Sequence, residues 1–320
     1  MSSASTFIQA VELWAPSADG YLLEFQSGIF GAPAWGFANL TRSMCFGRGE
    51  GLPGRAWEEG RPILLSQLQG SLFRRSAAAT SLGWTSAVAV PFFAGGTIQS
   101  VLVFFCGKAP TQAGTLELWQ AQPGLDASLT LVDGAFGPGA QALEAFTRGV
   151  TLAPGAGLPG AAHHSGTAQF IDDLGAAQDG FVRAELAAAQ GLVRGLAMSC
   201  GQHHGVDYVL AFLASQTLPL AQRVECWALD ETGSRLQRVF AFSELNGGYS
   251  SVTASMQVPT AVSGGAIAKA WLSGLPSIND HPISEPGPPS AAASGLGATG
   301  LLAVPFLRDG QVVEVLALYL

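Results

Sequence analysis

The chain has 320 residues, of which 48% are apolar and 12% charged, and a formal net charge of -8. That balance can bury large interiors and excludes a disordered polypeptide. The acidic excess excludes the clustered basic stripe of a nucleic-acid surface and attraction to anionic lipid.

The N-terminal stretch "MSSASTFIQAVELW" has neither a basic n-region nor a long apolar run, so no signal peptide is expected. Its end, "VELW" at 11–14, reads as a strand and returns as "LELW" at 116–119 and "VECW" at 224–227. A second strand follows each time, such as "YLLEF" at 21–25 or "ASLTLV" at 127–132. In the middle third, "GAQALEAFTRG" reads as a helix, with Leu143 and Phe146 at helical spacing.

Next comes "GLPGRAWEEG" at 51–60, which returns as "GLPGAAHHSG" at 157–166 and, more weakly, as "GAIAKAWLSG" at 265–274. Pro53 and Gly54 suit the two central positions of a type II turn, where Gly54 would take a positive φ. Arg55–Glu59 then reads as a short helix that Gly60 ends and Pro62 keeps from resuming. "PILLSQL" reads as a strand. "LFRRSAAATSLG" and "FVRAELAAAQG" read as helices, the latter with Phe181, Glu185, Ala188 and Leu192 in helical step.

Each third closes on an apolar hairpin. The segment 87–107 resembles a membrane span in length, but Gly95-Gly96, Gln99 and Ser100 interrupt it, so two strands around a turn are expected instead. Because these strands are almost continuously apolar, both of their faces should be covered. A constant 214 residues separate Gly51 from Gly265, Trp57 from Trp271, and Phe92 from Phe306. A unit of roughly 105 residues is a small domain rather than a solenoid repeat. Three tandem domains are therefore expected, at 1–108, 109–217 and 218–320, each α+β: an antiparallel sheet with helices packed on it.

The run "GRGEGLPGRAWEEGRPILLSQL" followed by "FRRSAAATSLGWTSAVAVPFFAGGTIQSVLVFF" resembles a GAF domain, with the second third a good match and the third degenerate. The resemblance implies three GAF/PAS-like domains, each with a six-stranded antiparallel sheet and a pocket between that sheet and the segment carrying the short helix. GAF domains bind cyclic nucleotides, bilins, haem, amino acids or small metabolites, and others serve as dimerisation or interaction modules. The long flanking helices of signalling GAF domains have no room between Phe105 and Leu116, and no output segment is expected after Leu320. With them absent, sheet or helix faces would be free to dock a partner.

Pocket candidates follow from the same placement: Trp57 and Trp271 as stacking aromatics, Phe46, Phe73 and Trp84 as further lining, and Arg55 and Lys269 as cations for an anionic ligand. Each has a plainer reading, as a core anchor for the aromatics and as a solvated helix face for the cations. The pairs His163-His164 and His203-His204 lack recognised metal-ligand spacing, so no metal and no cofactor are expected. Bilin and cyclic-nucleotide patterns are missing. A third possibility is a reductase of free methionine sulfoxide using Cys45 and Cys106, which would require the two thiols to lie close together. More generally, the four cysteines share no CxxC spacing and read as buried reduced thiols. The expected protein is a non-catalytic, cytoplasmic sensory or small-molecule-binding protein. The alternative is an interaction scaffold with a protein partner or a homodimer, and without nucleic acid or a membrane span.

Overall fold

Alternation along "VELW" puts Glu12 and Trp14 on one face of a strand and Val11 and Leu13 on the other. The computed structural model describes residues 5–109, 114–121, 127–177, 181–245, 247–249, 254–259 and 264–320. Residues 1–4 of the N-terminal reading and 110–113 of the gap between Phe105 and Leu116 lie outside them.

Three antiparallel sheets succeed one another along the chain. The first comprises β1 (Ile8–Pro16), β2 (Leu22–Phe30), β3 (Cys45–Gly47), β4 (Ile63–Leu65), β5 (Ser86–Ala94) and β6 (Thr97–Cys106), in the order β3-β2-β1-β6-β5-β4. The second comprises β7 (Gly114–Ala121), β8 (Leu129–Ala135), β9 (Ala168–Ile171), β10 (Leu192–His203) and β11 (Val206–Ser215), in the order β8-β7-β11-β10-β9. It has five strands where six were expected; a single bridge from Leu129 to Leu152 stands where the sixth would pair. The third comprises β12 (Arg223–Leu229), β13 (Arg235–Ser243), β14 (Gly248–Tyr249), β15 (Ser255–Gln257), β16 (Ser277–Asn279), β17 (Leu301–Arg308) and β18 (Gln311–Tyr319). Its path is β14-β13-β12-β18-β17-β16, with β15 also paired to β13.

Helices cover one face of each sheet. Sheet one carries α1 (Trp35–Arg42), α2 (Gly51–Glu59) and α3 (Ser76–Ser81); sheet two carries α4 (Gln141–Gly149), α5 (Gly157–Ser165) and α6 (Ala184–Ala188). Sheet three carries α7 (Ala266–Ser273) and α8 (Pro288–Leu296). Each sheet closes its own interior against its helices, around Trp14, Trp119 and Trp227 respectively.

Three local expectations differ from the structure. The whole of "GLPGRAWEE" is helical, so no type II turn precedes α2. Pro53 fits because the first turn of a helix needs no N–H donor. The positive φ belongs to Gly51 (59°), and Gly54 is required by space: a Cβ there would collide with the Gly47 carbonyl oxygen. Second, the 181–192 helix shrinks to Ala184–Ala188, since Gly191 turns the chain and Leu192 already belongs to β10. Third, Leu143 of α4 is buried while Phe146 is exposed. The left-handed helix ends fall where the glycines predict, at Gly60, Gly166 and Gly274.

The opposite faces of the three sheets meet in one shared core. Val11, Leu13, Leu102 and Phe104 of the first sheet join Leu118, Leu210 and Phe212 of the second and Val224, Leu316 and Leu318 of the third. Phe104 and Phe212 pack edge to face at 5.5 Å. This accounts for the continuously apolar closing strands: one face meets helices, the other meets the neighbouring sheets. It also corrects the expectation that these sheet faces are free to dock, because the sheets cover one another.

The packing is cyclic. β4 lies against β8, β16 lies against β2, and Phe170 of β9 touches Phe240 and Phe242 of β13. The edge strand that follows α2, α5 or α7 in each unit thus meets the second strand of the next sheet, and the third sheet returns to the first. A head-to-tail contact that closes after three steps forms a ring, here within a single chain.

Candidate functional site

The space between the first sheet and its helices is the pocket that the sequence resemblance predicts. It is built around Glu12, which β1 points at the helices beside Trp14. Trp14 Nε1 donates to Glu12 Oε2 at 3.0 Å, and Thr41 Oγ1 of α1 donates to Oε1 at 3.0 Å. Arg75, one residue before α3, grips the same carboxylate with both terminal nitrogens, Nη2 to Oε2 at 2.8 Å and Nη1 to Oε1, and Nη1 also donates to Thr41 Oγ1. Its guanidinium sits against the rings of Phe37 (4.6 Å), Phe73 (5.2 Å), Phe105 (5.6 Å) and Trp14 (5.7 Å). The Arg75 and Glu12 side chains are 1% and 0% exposed.

The second unit repeats this network. Arg183 donates to Glu117 at 2.7 and 3.0 Å and to Thr147 Oγ1 at 2.8 Å, and Trp119 Nε1 donates to Glu117 Oε2 at 3.0 Å. The third unit keeps the carboxylate and the tryptophan but changes the cation. Glu225 accepts from Trp227 Nε1 at 3.0 Å, Arg223 Nε at 2.6 Å, Arg238 Nη1 at 2.9 Å and the Tyr319 hydroxyl at 3.0 Å. Its α8, "PPSAAASGL", has no arginine, so cations come from the sheet itself. A buried carboxylate must be paired and hydrogen-bonded or it neutralises, and all three units meet that demand in the same place. The sequence reading missed this network. Its signal was present in the Glu-x-Trp repeat, together with one arginine ahead of each of α3 and α6.

The structure distributes the seven predicted pocket residues among four settings. Phe46, Phe73 and Trp84 are buried in the first interior as packing: Phe46 lies edge-on to Trp14 at 4.8 Å, and Trp84 meets Phe37 at 4.6 Å. Trp57 and Trp271 are half-buried and pack against the margins of the first and third cores. Arg55 pairs with Glu59, whose carboxyl is lowered by Arg55 and Arg61 against the opposing pull of burial. Lys269 is exposed on α7 and faces a cleft between the first and third units, on the other side of the sheet from the interior.

The cysteines and histidines are dispersed over several elements. Cys106 and Cys226 are buried and Cys200 is half-buried, whereas Cys45 is exposed, contrary to the expectation of four buried thiols. Burial pushes the Cys200 thiol up to about 12 and raises Cys106 and Cys226 as well. Cys45 lies on β3 and Cys106 on β6, three strand positions and so about 14 Å apart across the sheet, and they are further offset along it, since Cys45 is level with Ala15 of β1 and Cys106 with Ile8. His163 Nε2 approaches Asp207 at 3.3 Å, and His203 Nε2 donates to the Cys200 carbonyl at 2.9 Å. Among the described residues no three of His, Cys, Asp and Glu gather as metal ligands. No helix among them is long and apolar enough to cross a membrane.

A sheet of order 3-2-1-6-5-4 with helices on one face defines a GAF-type α+β fold. Residues 6–121 match the family model described as GAF domain, so the first unit is a GAF domain. No curated protein matches the sequence. Solved structures similar to the chain include the GAF domain of A. aeolicus nlh2 in an inactive state (20% identity, 31% of this chain and 57% of that one, TM-score 0.25). Another is a free methionine-R-sulfoxide reductase from Neisseria meningitidis in complex with its substrate (17% identity, 31% and 52%, TM-score 0.25). A third is the GAF domain of an Acinetobacter phosphoenolpyruvate-protein phosphotransferase (13% identity, 31% and 54%, TM-score 0.24). The chain thus spans little more than half the length of each.

Proposed function

We propose that this chain is a non-enzymatic GAF-type interaction module: three units locked into one ring, with sealed interiors and a protein partner bound on the outer helical surface. The observation that carries this reading is the buried arginine–glutamate pair with its aromatic surround. It fills the space between sheet and helices in units one and two, where a ligand-binding GAF domain would need room. Separation and high pKa of the buried thiols count against methionine sulfoxide reduction, which needs a thiolate and a nearby resolving thiol. Four unpaired cysteines suit a reducing, cytoplasmic setting.

The outer surface carries large apolar side chains that the fold does not use, notably Trp35 (68% exposed) on α1 and Leu72 (54%) ahead of α3. Exposed aromatics of this kind are enriched at protein interfaces. Cross-linking of the intact chain in cell extract should capture a partner that the Trp35→Ser/Leu72→Ser variant no longer captures. A dose-dependent rise in melting temperature with cyclic GMP, haemin, biliverdin or methionine sulfoxide would overturn the sealed-pocket reading. A ligand that binds only the native state must produce such a rise.

A further inference from the structure

The three junctions of the ring are built to one plan, and two of them are plugged. At the first, the β10–β11 turn of unit two brings His204 over Gly60, at the end of α2. At the second, the β17–β18 turn of unit three brings Arg308, whose Nη2 donates to the Ser165 carbonyl at the end of α5 at 2.9 Å. At the third, the corresponding turn between β5 and β6 reads Ala94-Gly95-Gly96, with alanine in the place that Arg308 holds in unit three. A cleft of about 480 Å³ remains there. That lies within the size range of small-molecule sites.

Its lining is chemically one-sided. Leu272, Leu275 and Ile278 supply an apolar wall, and Gln26, Gln99 and Ser27 supply neutral polar groups. Among the described residues no aspartate or glutamate lines it, and Lys269 is the only charged one. At the equivalent position of unit one, Arg55 is neutralised by Glu59 four residues on; in unit three that place is Ser273. Among the described residues Lys269 therefore makes no ion pair. Ser100, buried at the border of the cleft, has an Oγ without a hydrogen-bond partner among the described residues.

We infer that the cleft between the first and third units binds a small amphiphilic monocarboxylate, its acid group on Lys269 and its hydrocarbon body against Leu272, Leu275 and Ile278. The inference does not rest on the interaction-module reading, because this cleft lies outside the sealed interiors.

The test is calorimetric titration of the intact chain with hexanoate, octanoate and benzoate, alongside the neutral hexanamide. Saturable binding of a carboxylate is expected, weakened about tenfold in Lys269→Gln while hexanamide is unaffected, as loss of a charged hydrogen bond implies. Lys269 is exposed, so this variant should keep the wild-type melting temperature. Gln99→Trp, which fills the cleft from the other side, should abolish binding. Absence of saturable binding by all three acids at millimolar concentration would overturn the inference. So would carboxylate binding that is unchanged in both variants.

Discussion

At the scale of single residues, the buried Glu12–Arg75 pair explains more of the protein than any side chain expected to touch a ligand. Removing one partner of such a pair strands a charge in the interior at a cost of about 3–5 kcal/mol, while replacing both with neutral groups of similar shape is often near neutral. Arg75→Met should therefore lower unfolding free energy by about that amount in urea denaturation. Adding Glu12→Gln, whose amide oxygen can still accept from Trp14 Nε1 while its NH2 donates to Thr41 Oγ1, should recover most of the loss. If the double variant is as unstable as Arg75→Met, the charge is not what the pair contributes. Trp57 illustrates the limit of reading one residue at a time: its place on the short helix was legible, but its packing against the first core depends on residues distant in sequence.

At the scale of elements, the short helix α2 shows how similar sequence signals carry different physics. Gly54 and Gly36 both lie in helices, where replacing glycine by alanine ordinarily stabilises by about 1 kcal/mol. Nothing lies within 4 Å of a Cβ built at Gly36, so Gly36→Ala should raise stability by about that much. At Gly54 the same change drives a methyl into the Gly47 carbonyl oxygen and should destabilise by about 1–3 kcal/mol, as overpacking does. Thermal melts of the two variants should move in opposite directions. Helix ends at Gly60, Gly166 and Gly274 were legible because a left-handed cap is a local demand. The strands were legible for the same reason, since alternation and apolar runs are written in consecutive residues. The start of α2 was not, because Gly54 answers to a backbone approach from β3. Nor was the shared core, because an apolar strand face does not name what covers it.

At the scale of the whole molecule, the ring makes the units interdependent. A fragment ending at Ala109 would expose Val11, Leu13, Val88, Val90, Leu102 and Phe104, which the other sheets cover in the intact chain. An exposed apolar face of this kind drives association, so the fragment should sediment as an oligomer while the intact chain's ring is already closed. The second junction also has a titratable element. Glu314 of β18 accepts the Ala168 N–H of β9 at 3.3 Å and touches Cys226, and burial raises its pKa above 4.5, against the pull of those two contacts. A raised carboxyl binds its proton more tightly in the folded chain than in the unfolded one. Its contribution to stability is therefore complete below pH 4.5 and is lost as pH rises through the raised value. Glu314→Gln keeps an acceptor for Ala168 and carries no charge at any pH. The variant should be more stable than the parent at neutral pH, and the difference should shrink to nothing on acidification. Because both proteins share every other titrating group, the difference between their stability curves isolates Glu314. A difference that is flat with pH would mean that this carboxyl is as well solvated in the ring as in the unfolded chain.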